Sequence, residues 1–493
     1  MFRISFDSEI VDHSNAGNTD GQTMNAVYSE TARASYMARV NYNYASKYLV
    51  EFNIRRDGSE NFAPDKRWGT FASASLGWVI SEEPFFESLK NTINFLKIRG
   101  SYGTLGNDNT GGVSFPFYSR FELYQGAVAS NGFMNNLGDY AFGDLVTKGL
   151  VPGAIANSLA TWEKSNKANI ALDATLFNNL NFTVDLFTER RTNILTQRTA
   201  EVPSSFGGTL PLENIGIVNN KGIDLSLNYH NSIGKVNYSV GGNFTFARNK
   251  IVEMAEAEGT SEYMRQTGRP INGYYGYKTD GIFQSQEEID SYAKQEVAGV
   301  GYETQIGDIK YVDVDGNGVV NSDDMTYLGY GNIPEIIYGI NGSLNWKNFD
   351  FSFLMQGAAN AQVYLKGGII LPYFNQGNLP QFWVNEAWTE ENPSNRYPRL
   401  AESVHNFPAT DVPGVQTYLY NASYLRLKNI EVGYTFPTSW LSRIGVTNAR
   451  VYVNAQNLFT ISNVPQIDPE NTEQEGWTYP QMKSFNFGLS LQF

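Results

Sequence analysis

Apolar and polar residues alternate along much of the chain. At the C-terminal end Phe485, Phe487, Leu489, Leu491 and Phe493 alternate with Ser484, Asn486, Gly488, Ser490 and Gln492. A period of two gives a strand one apolar and one polar face. The same period runs through Ile223, Leu225, Leu227 and Tyr229, through Val236, Tyr238, Val240, Phe244 and Phe246, and through Leu180, Phe182, Val184 and Leu186. It predicts fourteen strands, at 1–8, 31–45, 48–57, 68–80, 93–103, 160–176, 180–194, 215–230, 235–249, 335–346, 349–362, 418–436, 446–460 and 481–493. Soluble strands have a mode of ~5–6 residues, whereas a tilted strand crossing a bilayer needs ~9–11, and most of these are long enough to cross.

The connections fall into two alternating sets. Tight ones are 45–47, 177–179, 231–234 and 347–348, with longer members at 81–92 and 437–445; long ones are 9–30, 58–67, 104–159, 195–214, 250–334, 363–417 and 461–480. A soluble sandwich also alternates, but it has no reason to sort loop lengths by strand parity. Short turns at one rim and long loops at the other are the layout of an outer-membrane barrel. One strand is out of phase: Leu425 and Leu427 fall on one face and Ile430, Val432, Tyr434 and Phe436 on the other. A β-bulge near Lys428–Asn429 would reconcile them. Trp68, Trp78, Tyr434, Phe436, Trp440 and Tyr479 lie near strand ends and suit interfacial girdles, although each alone fits ordinary loop packing equally well.

Composition agrees with an all-β membrane wall. Charged residues make up 17%, below the ~25% of soluble domains, while aromatics reach 14% and glycines number 46. The formal charge of −14 argues against a nucleic-acid partner. No apolar run approaches the ~18 residues of a membrane helix; the densest, FASASLGWVI at 71–80, is broken by Ser and Gly. With no Cys there is no thiolate nucleophile or Cys-bound metal, and His13, His230 and His405 form no H-E-x-x-H motif, so no enzyme activity is expected. The first residues lack the cationic and apolar regions of a signal peptide, which implies either an internal protein or a truncated start.

Seven segments, in order, resemble one family: DGSENFAPDKRWGTFASASLGWVISEEPF (57–85), LKIRGSYGTLGND (96–108), ATWEKSNKANIALD (160–173), NIGIVNNKGIDLSL (214–227), GDIKYVDVDGNGVVNSDD (307–324), YLRLKNIEVGYTFP (424–437) and VYVNAQNLFTIS (451–462). The chain thereby resembles the SusC/RagA family of TonB-linked outer-membrane transporters of Bacteroidetes-type bacteria. The resemblance implies a 22-stranded plugged barrel, a size class of outer-membrane transporters. It further implies import of oligosaccharides or peptides with a SusD-like surface lipoprotein, and it marks Phe493 as a C-terminal barrel-assembly signal. On this reading residues 1–493 are one partial barrel domain holding about fourteen C-terminal strands. The plug would precede it, and TonB would act only through that preceding region. The piece would form an open wall whose first and last strands do not pair. A rival reading is a secreted or surface calcium-stabilised β protein that binds glycans without transporting them.

The sharpest local chemistry is DVDGNGVVNSDD at 313–324, inside the long loop 250–334. Asp313, Asp315 and Asn317 occupy positions 1, 3 and 5 of a Ca²⁺ loop, Gly318 the turn position, Val319 the carbonyl position 7, Asn321 position 9 and Asp324 position 12. Hard oxygen ligands at every second residue can wrap one cation. The expected affinity is weak, on the order of 10⁻⁴–10⁻³ M, and the role structural. The other reading is a turn cluster that only reverses the chain. Loop aromatics, chiefly Tyr274, Tyr275, Tyr277, Trp383 and Trp388, would either stack on cargo or pack loop against loop.

Overall fold

The alternating segments build one continuous antiparallel wall. The computed structural model describes residues 31–119, 121–123, 139–142, 145–148, 150–152, 155–198, 210–298, 301–374, 377–400, 405–406, 414–441, 445–465, 467–471, 474–476 and 478–493. Its wall strands, in chain order, are β1 (Arg33–Tyr44), β2 (Tyr48–Ser59), β3 (Trp68–Val79), β4 (Ile93–Asn107), β5 (Glu163–Leu176), β6 (Leu180–Gln197), β7 (Leu212–Ile233), β8 (Val236–Glu253), β9 (Ile336–Trp346), β10 (Phe349–Ala359), β11 (Tyr424–Thr435), β12 (Asn448–Gln456) and β13 (Ser484–Gln492). Each pairs with its neighbours in sequence, and a short strand, Thr460–Ser462, joins at Tyr424–Arg426. Among the described residues β1 and β13 are each paired on one side only, so the wall is open as expected. The strand expected at 1–8 lies outside the described residues.

Register keeps the two faces distinct across the wall. Val50 lies between Tyr42 and Leu76, Leu186 between Ile170 and Ile223, Leu344 between Tyr238 and Phe351, and Val453 between Val432 and Phe487. A slip of one residue would turn every one of these side chains to the other face. The apolar face is bare, with Leu76 63% and Phe487 81% exposed. Exposure repeated along an entire sheet face marks a surface made for an apolar environment.

Tight turns set that register. In the first hairpin Lys47 N–H donates to Tyr44 C=O (3.0 Å) around Ala45 and Ser46, both at positive φ. The β5–β6 turn repeats this with Asn179 N–H on Leu176 C=O (3.0 Å) around Phe177 and Asn178. Two central residues at positive φ are what a type I′ turn requires, and its twist matches that of the strands. The turn expected at 231–234 instead falls at Gly234–Lys235, because Gly234 takes φ 63° at no steric cost and β7 continues to Ile233. Other boundaries shift as well, most by a few residues, and two of the larger shifts are instructive. The strand expected from 418 begins at Tyr424, since Leu419–Asn421 leaves to pair with Gln362–Tyr364, and the strand expected to reach 460 stops at Gln456.

The bulge stands at Lys428. Leu354 faces Asn429 and Met355 faces Leu427, leaving Lys428 unmatched. Leu425 and Leu427 therefore share the apolar face with Ile430 and Val432, while Arg426 and Lys428 both reach the polar side.

Aromatics gather at the tight-turn rim. Trp78 meets Phe85 (6.5 Å between centroids), and Trp346, Phe349, Tyr434, Phe436 and Trp440 follow one another at 4.8–6.4 Å. At the opposite rim Trp68 stacks on Tyr36 at 6.0 Å. Tyr479 is exposed on the last loop.

Candidate functional site

Three long connections at the loop rim, between β8 and β9, β10 and β11, and β12 and β13, fold together into a cap. Tyr274–Tyr277 pairs with Thr326–Gly329 and, in parallel, with Gly414–Val415; Thr279–Ile282 pairs with Ile309–Tyr311; Ala387–Trp388 pairs with Tyr397–Arg399. The pieces enclose an apolar core that includes Ile309, Tyr311, Val320, Leu365, Ile370, Trp383, Val415, Tyr418 and Val464. Apolar residues drawn from separate loops bury what no single loop could bury alone.

Burial decides the role of the loop aromatics. Trp383 is 0% exposed, donates its Nε1–H to Ile370 C=O (2.6 Å) and lies 4.8 Å from the Tyr397 ring. Tyr277 is also buried, 5.5 Å from Tyr311. Both belong to the cap core, so of the two readings left open for these aromatics the burial of this pair favours loop-on-loop packing. Trp388 is half-buried over Gly307 and donates to Gln284 Oε1 (2.9 Å). Tyr275 donates its hydroxyl to Arg265 C=O (2.9 Å), and burial pushes its phenol up to about 12. Tyr274 packs against Tyr364.

A buried carboxylate that the sequence did not single out ties two of the loops together. Asp308 is 0% exposed. Its Oδ1 accepts from Arg399 Nε (2.7 Å) and Asn406 Nδ2 (2.8 Å), and its Oδ2 from Tyr302 Oη–H (2.9 Å) and Gln305 N–H (2.9 Å). Four donors on one carboxylate compensate for its removal from water.

His405 sits beside it, 0% exposed, stacked on Tyr302 (4.8 Å) and edge-on to Tyr311 (4.9 Å). Its Nε2 lies 2.8 Å from Ile309 C=O. A carbonyl can only accept, so Nε2 carries the proton, and Nδ1 is buried with no partner among the described residues. Burial holds the imidazole below its usual range; the Ile309 carbonyl and the Asp308 carboxylate oppose that shift, and Arg399 reinforces it. The unfolded cap therefore binds the proton more readily than the folded one. The contribution of His405 to stability is complete above pH ~6.5 and is lost as pH falls through the lowered folded value. Protection of the cap amides, taken relative to their intrinsic exchange rate at each pH, should fall on acidification through that window, and His405→Gln should flatten the response at 305–311 while leaving the wall strands unchanged.

The 313–324 loop is ordered by its own side chains. Asp313 accepts from Gly316 and Gly318 N–H (2.7 Å each), Asn317 Oδ1 from Val319 N–H (2.8 Å), and Asp324 from Val314 (2.7 Å) and Asn321 N–H (2.8 Å). Asn321 in turn caps the turn Ser322–Asp324. The Gly318 amide, ahead of the others, holds the Asp313 carboxyl below its ordinary range. Ligand oxygens of Asp313, Asp315 and Asp324 lie within 4.8 Å of one another, a purely hard-oxygen set that fits Ca²⁺.

On the polar face of the wall, arginines are answered by carboxylates. Arg99 holds Asp173 (3.1 Å) and Asp185 (2.8 Å), Arg248 holds Glu335 (2.6 Å), and Arg450 pairs with Asp350 and Glu431. Arg426, 2% exposed, reaches Asp468 (2.6 Å) and Glu470 (3.3 Å), and Lys428 reaches Glu470 (2.8 Å), so the last loop is fastened to the polar face.

Comparison with known proteins identifies this architecture. Residues 2–282 match the model of the TonB dependent receptor-like β-barrel family. TonB-dependent receptor P26 of Formosa agariphila is 31% identical over 491 residues, covering 94% of this chain and 46% of the relative. TonB-dependent receptor SusC of Bacteroides thetaiotaomicron is 30% identical over 468 residues, covering 93% and 43%. The chain thus spans less than half the length of these curated relatives. Among solved structures, that of the RagAB peptide transporter superposes with a TM-score of 0.71 at 25% identity, over 99% of this chain and 51% of the other. An antiparallel wall with one bare apolar face, a self-paired polar face and all its long loops at one rim is thereby accounted for: the chain belongs to the TonB-dependent receptor-like β-barrel family, as a SusC/RagA-like protein of the outer membrane.

Proposed function

We propose that the chain forms the wall and surface cap of a TonB-dependent importer of oligosaccharides or peptides, acting with a SusD-like lipoprotein. The observation that carries this reading is the likeness to the RagAB transporter over almost the whole chain, cap included. The bare apolar face would meet lipid and the ion-paired polar face would line the passage. Outer-membrane placement speaks against the secreted form of the rival reading; the surface-bound form without transport is the other outcome of the test below. The test is purification from outer membranes: a heat-modifiable band that brings a surface lipoprotein with it supports the reading, and recovery without any lipoprotein counts against the partnership.

Within the cap, the 313–324 loop is proposed as a structural Ca²⁺ site. Asp313, Asp315, Asn317, Asn321 and Asp324 supply side-chain oxygens and Val319 a carbonyl. Calcium at a hundredfold excess over its dissociation constant should stabilise the cap by about 2.7 kcal/mol. That gain, read as slower cap hydrogen exchange, should vanish in Asp315→Ala; an equal gain in the variant would remove the site from consideration.

A further inference from the structure

Charge is sorted by face on β5 to β8. From the tight turns up to Lys164, Arg191, Val218 and Ile251 these strands pair without a shift of register, so phase fixes the face of every side chain. Asp173, Asp185, Glu189 and Asp224 all take the polar phase. Cations stand among them: Lys167 lies 3.6 Å from Glu189, and Arg191 donates to Glu163 (2.7 Å). Over the same stretch the apolar phase, that of Ile170, Leu186 and Ile223, carries no carboxylate. It carries Lys164 on β5, Arg190 on β6, Lys221 on β7 and Lys250 on β8, all exposed.

Their height on the wall is set by strand geometry. Along β6 the apolar phase reads Leu180, Phe182, Val184, Leu186, Thr188 and Arg190. Ten residues of strand at ~3.3 Å each, tilted by ~40°, rise ~25 Å, which is the height of the lipid-facing band of an outer-membrane wall. Arg190 therefore stands where hydrocarbon gives way to headgroups. Because the long loops of such walls lie outside, this rim meets the outer leaflet.

The cations are neighbours. Arg190 lies between Asn166 and Asn219 in register, which makes Lys164 and Lys221 its diagonal neighbours at about 7–8 Å, and Lys250 lies across from Asn219. Arg190 Nη1 makes a long contact with Asn219 Oδ1 (3.4 Å), and among the described residues none of the four forms an ion pair. Arg248 is already held by Glu335 and is not counted with them. Like charges side by side on a sheet are destabilising, and an anion among them removes that cost.

The concentration is local. Elsewhere at this rim the apolar phase ends in Tyr36 and Trp68, with Arg56 over the Trp68 ring (5.5 Å), in Leu425 and Leu427, or in Phe485. Cations that served only to anchor the wall at the interface would be spread around it. Four on adjacent strands, above a continuous apolar surface, match one amphiphile with an anionic head and acyl chains.

We propose that Lys164, Arg190, Lys221 and Lys250 form a site for the phosphate groups of a phosphorylated glycolipid in the outer leaflet, its acyl chains lying along Ile170, Leu186 and Ile223. The Arg190 guanidinium suits a phosphate bidentately, and the lysines add point charges. The proposal rests on outer-membrane placement and not on the import reading. In the test, the chain purified from outer membranes and stripped of lipid in detergent is titrated with lipid A, with lipid A freed of its phosphates, and with phosphatidylglycerol. Lipid A should bind most tightly, and loss of its phosphates should weaken binding at least tenfold. Arg190→Gln should weaken it about fivefold and the triple variant Lys164→Gln, Arg190→Gln, Lys221→Gln about a hundredfold, whereas Lys235→Gln at the opposite rim should leave it unchanged. All substituted side chains are exposed, so the heat-modifiable band should persist. No binding of lipid A, equal binding of the phosphate-free form, phosphatidylglycerol bound as tightly as lipid A, or indifference to the triple substitution would each overturn the proposal. Retention of a lipoprotein partner reports on the import reading separately.

Discussion

Asp308→Ala is expected to unlock the cap while leaving the wall intact. The substitution strands the Arg399 guanidinium and takes the acceptor from Asn406, Tyr302 and the Gln305 amide at once. Removing one partner of a buried ion pair costs ~3–5 kcal/mol, because the remaining charge keeps its desolvation without compensation. Hydrogen exchange over 305–311 and 397–399 should accelerate by about two to three orders of magnitude, with amides of β5 to β8 unchanged. The companion Asp308→Asn keeps two acceptor positions on one oxygen and should fall between the two. If Asp308→Ala left cap exchange as it is, the carboxylate would not be what joins the loops.

Trp383→Ala should have a comparable effect by a different physical route. Among the described residues the indole is the largest fully buried side chain, closed in by Phe382 and Tyr397 and satisfied at Nε1 by Ile370. Its loss removes buried apolar area and leaves a cavity, together ~3–5 kcal/mol for a tryptophan truncation, and the Ile370 carbonyl loses its donor. Urea unfolding of the cap, followed by hydrogen exchange, should shift to lower denaturant while the wall transition stays. Trp383→Phe, which retains most of the ring, should lose clearly less. An identical loss for both would mean that the indole hydrogen bond, not packing, carries the effect. The result also separates core from cargo contact: a residue at the heart of the cap changes stability first and ligand binding only through it.

Strands were legible because a period of two is written locally. Val236 to Phe246 or Ile223 to Tyr229 need no distant partner to declare their faces, and even the bulge at Lys428 could be placed from the phase change between Leu427 and Ile430. The calcium-type loop was legible for the same reason, since its ligands lie within twelve consecutive positions. Cap chemistry was not. Asp308 meets Arg399 from 91 residues away and Asn406 from 98, and Arg426 meets Asp468 across 42. Spacing within any one segment carries no trace of such pairings. The aromatic loop clusters illustrate the limit: composition left packing and cargo contact equally open for Trp383, and only its complete burial decides between them.

The all-noncovalent cap has a consequence for how the protein matures. Wall hairpins such as β5–β6 close over three residues, whereas Thr279 N–H must find Gln416 Oε1 across 137 residues of chain. Closing so long a span carries an entropic penalty that local hairpins avoid, and no disulfide is available to reduce it, because the chain has no cysteine. The cap core cannot assemble until segments on either side of β9 and β10 have both reached the loop side of the wall. A newly inserted molecule therefore passes through a stage with a finished wall and an unfinished exterior. During that stage a protease added from outside should cut within 254–335 and 360–423, and resistance of these segments would serve as a clock for completion of the outer surface.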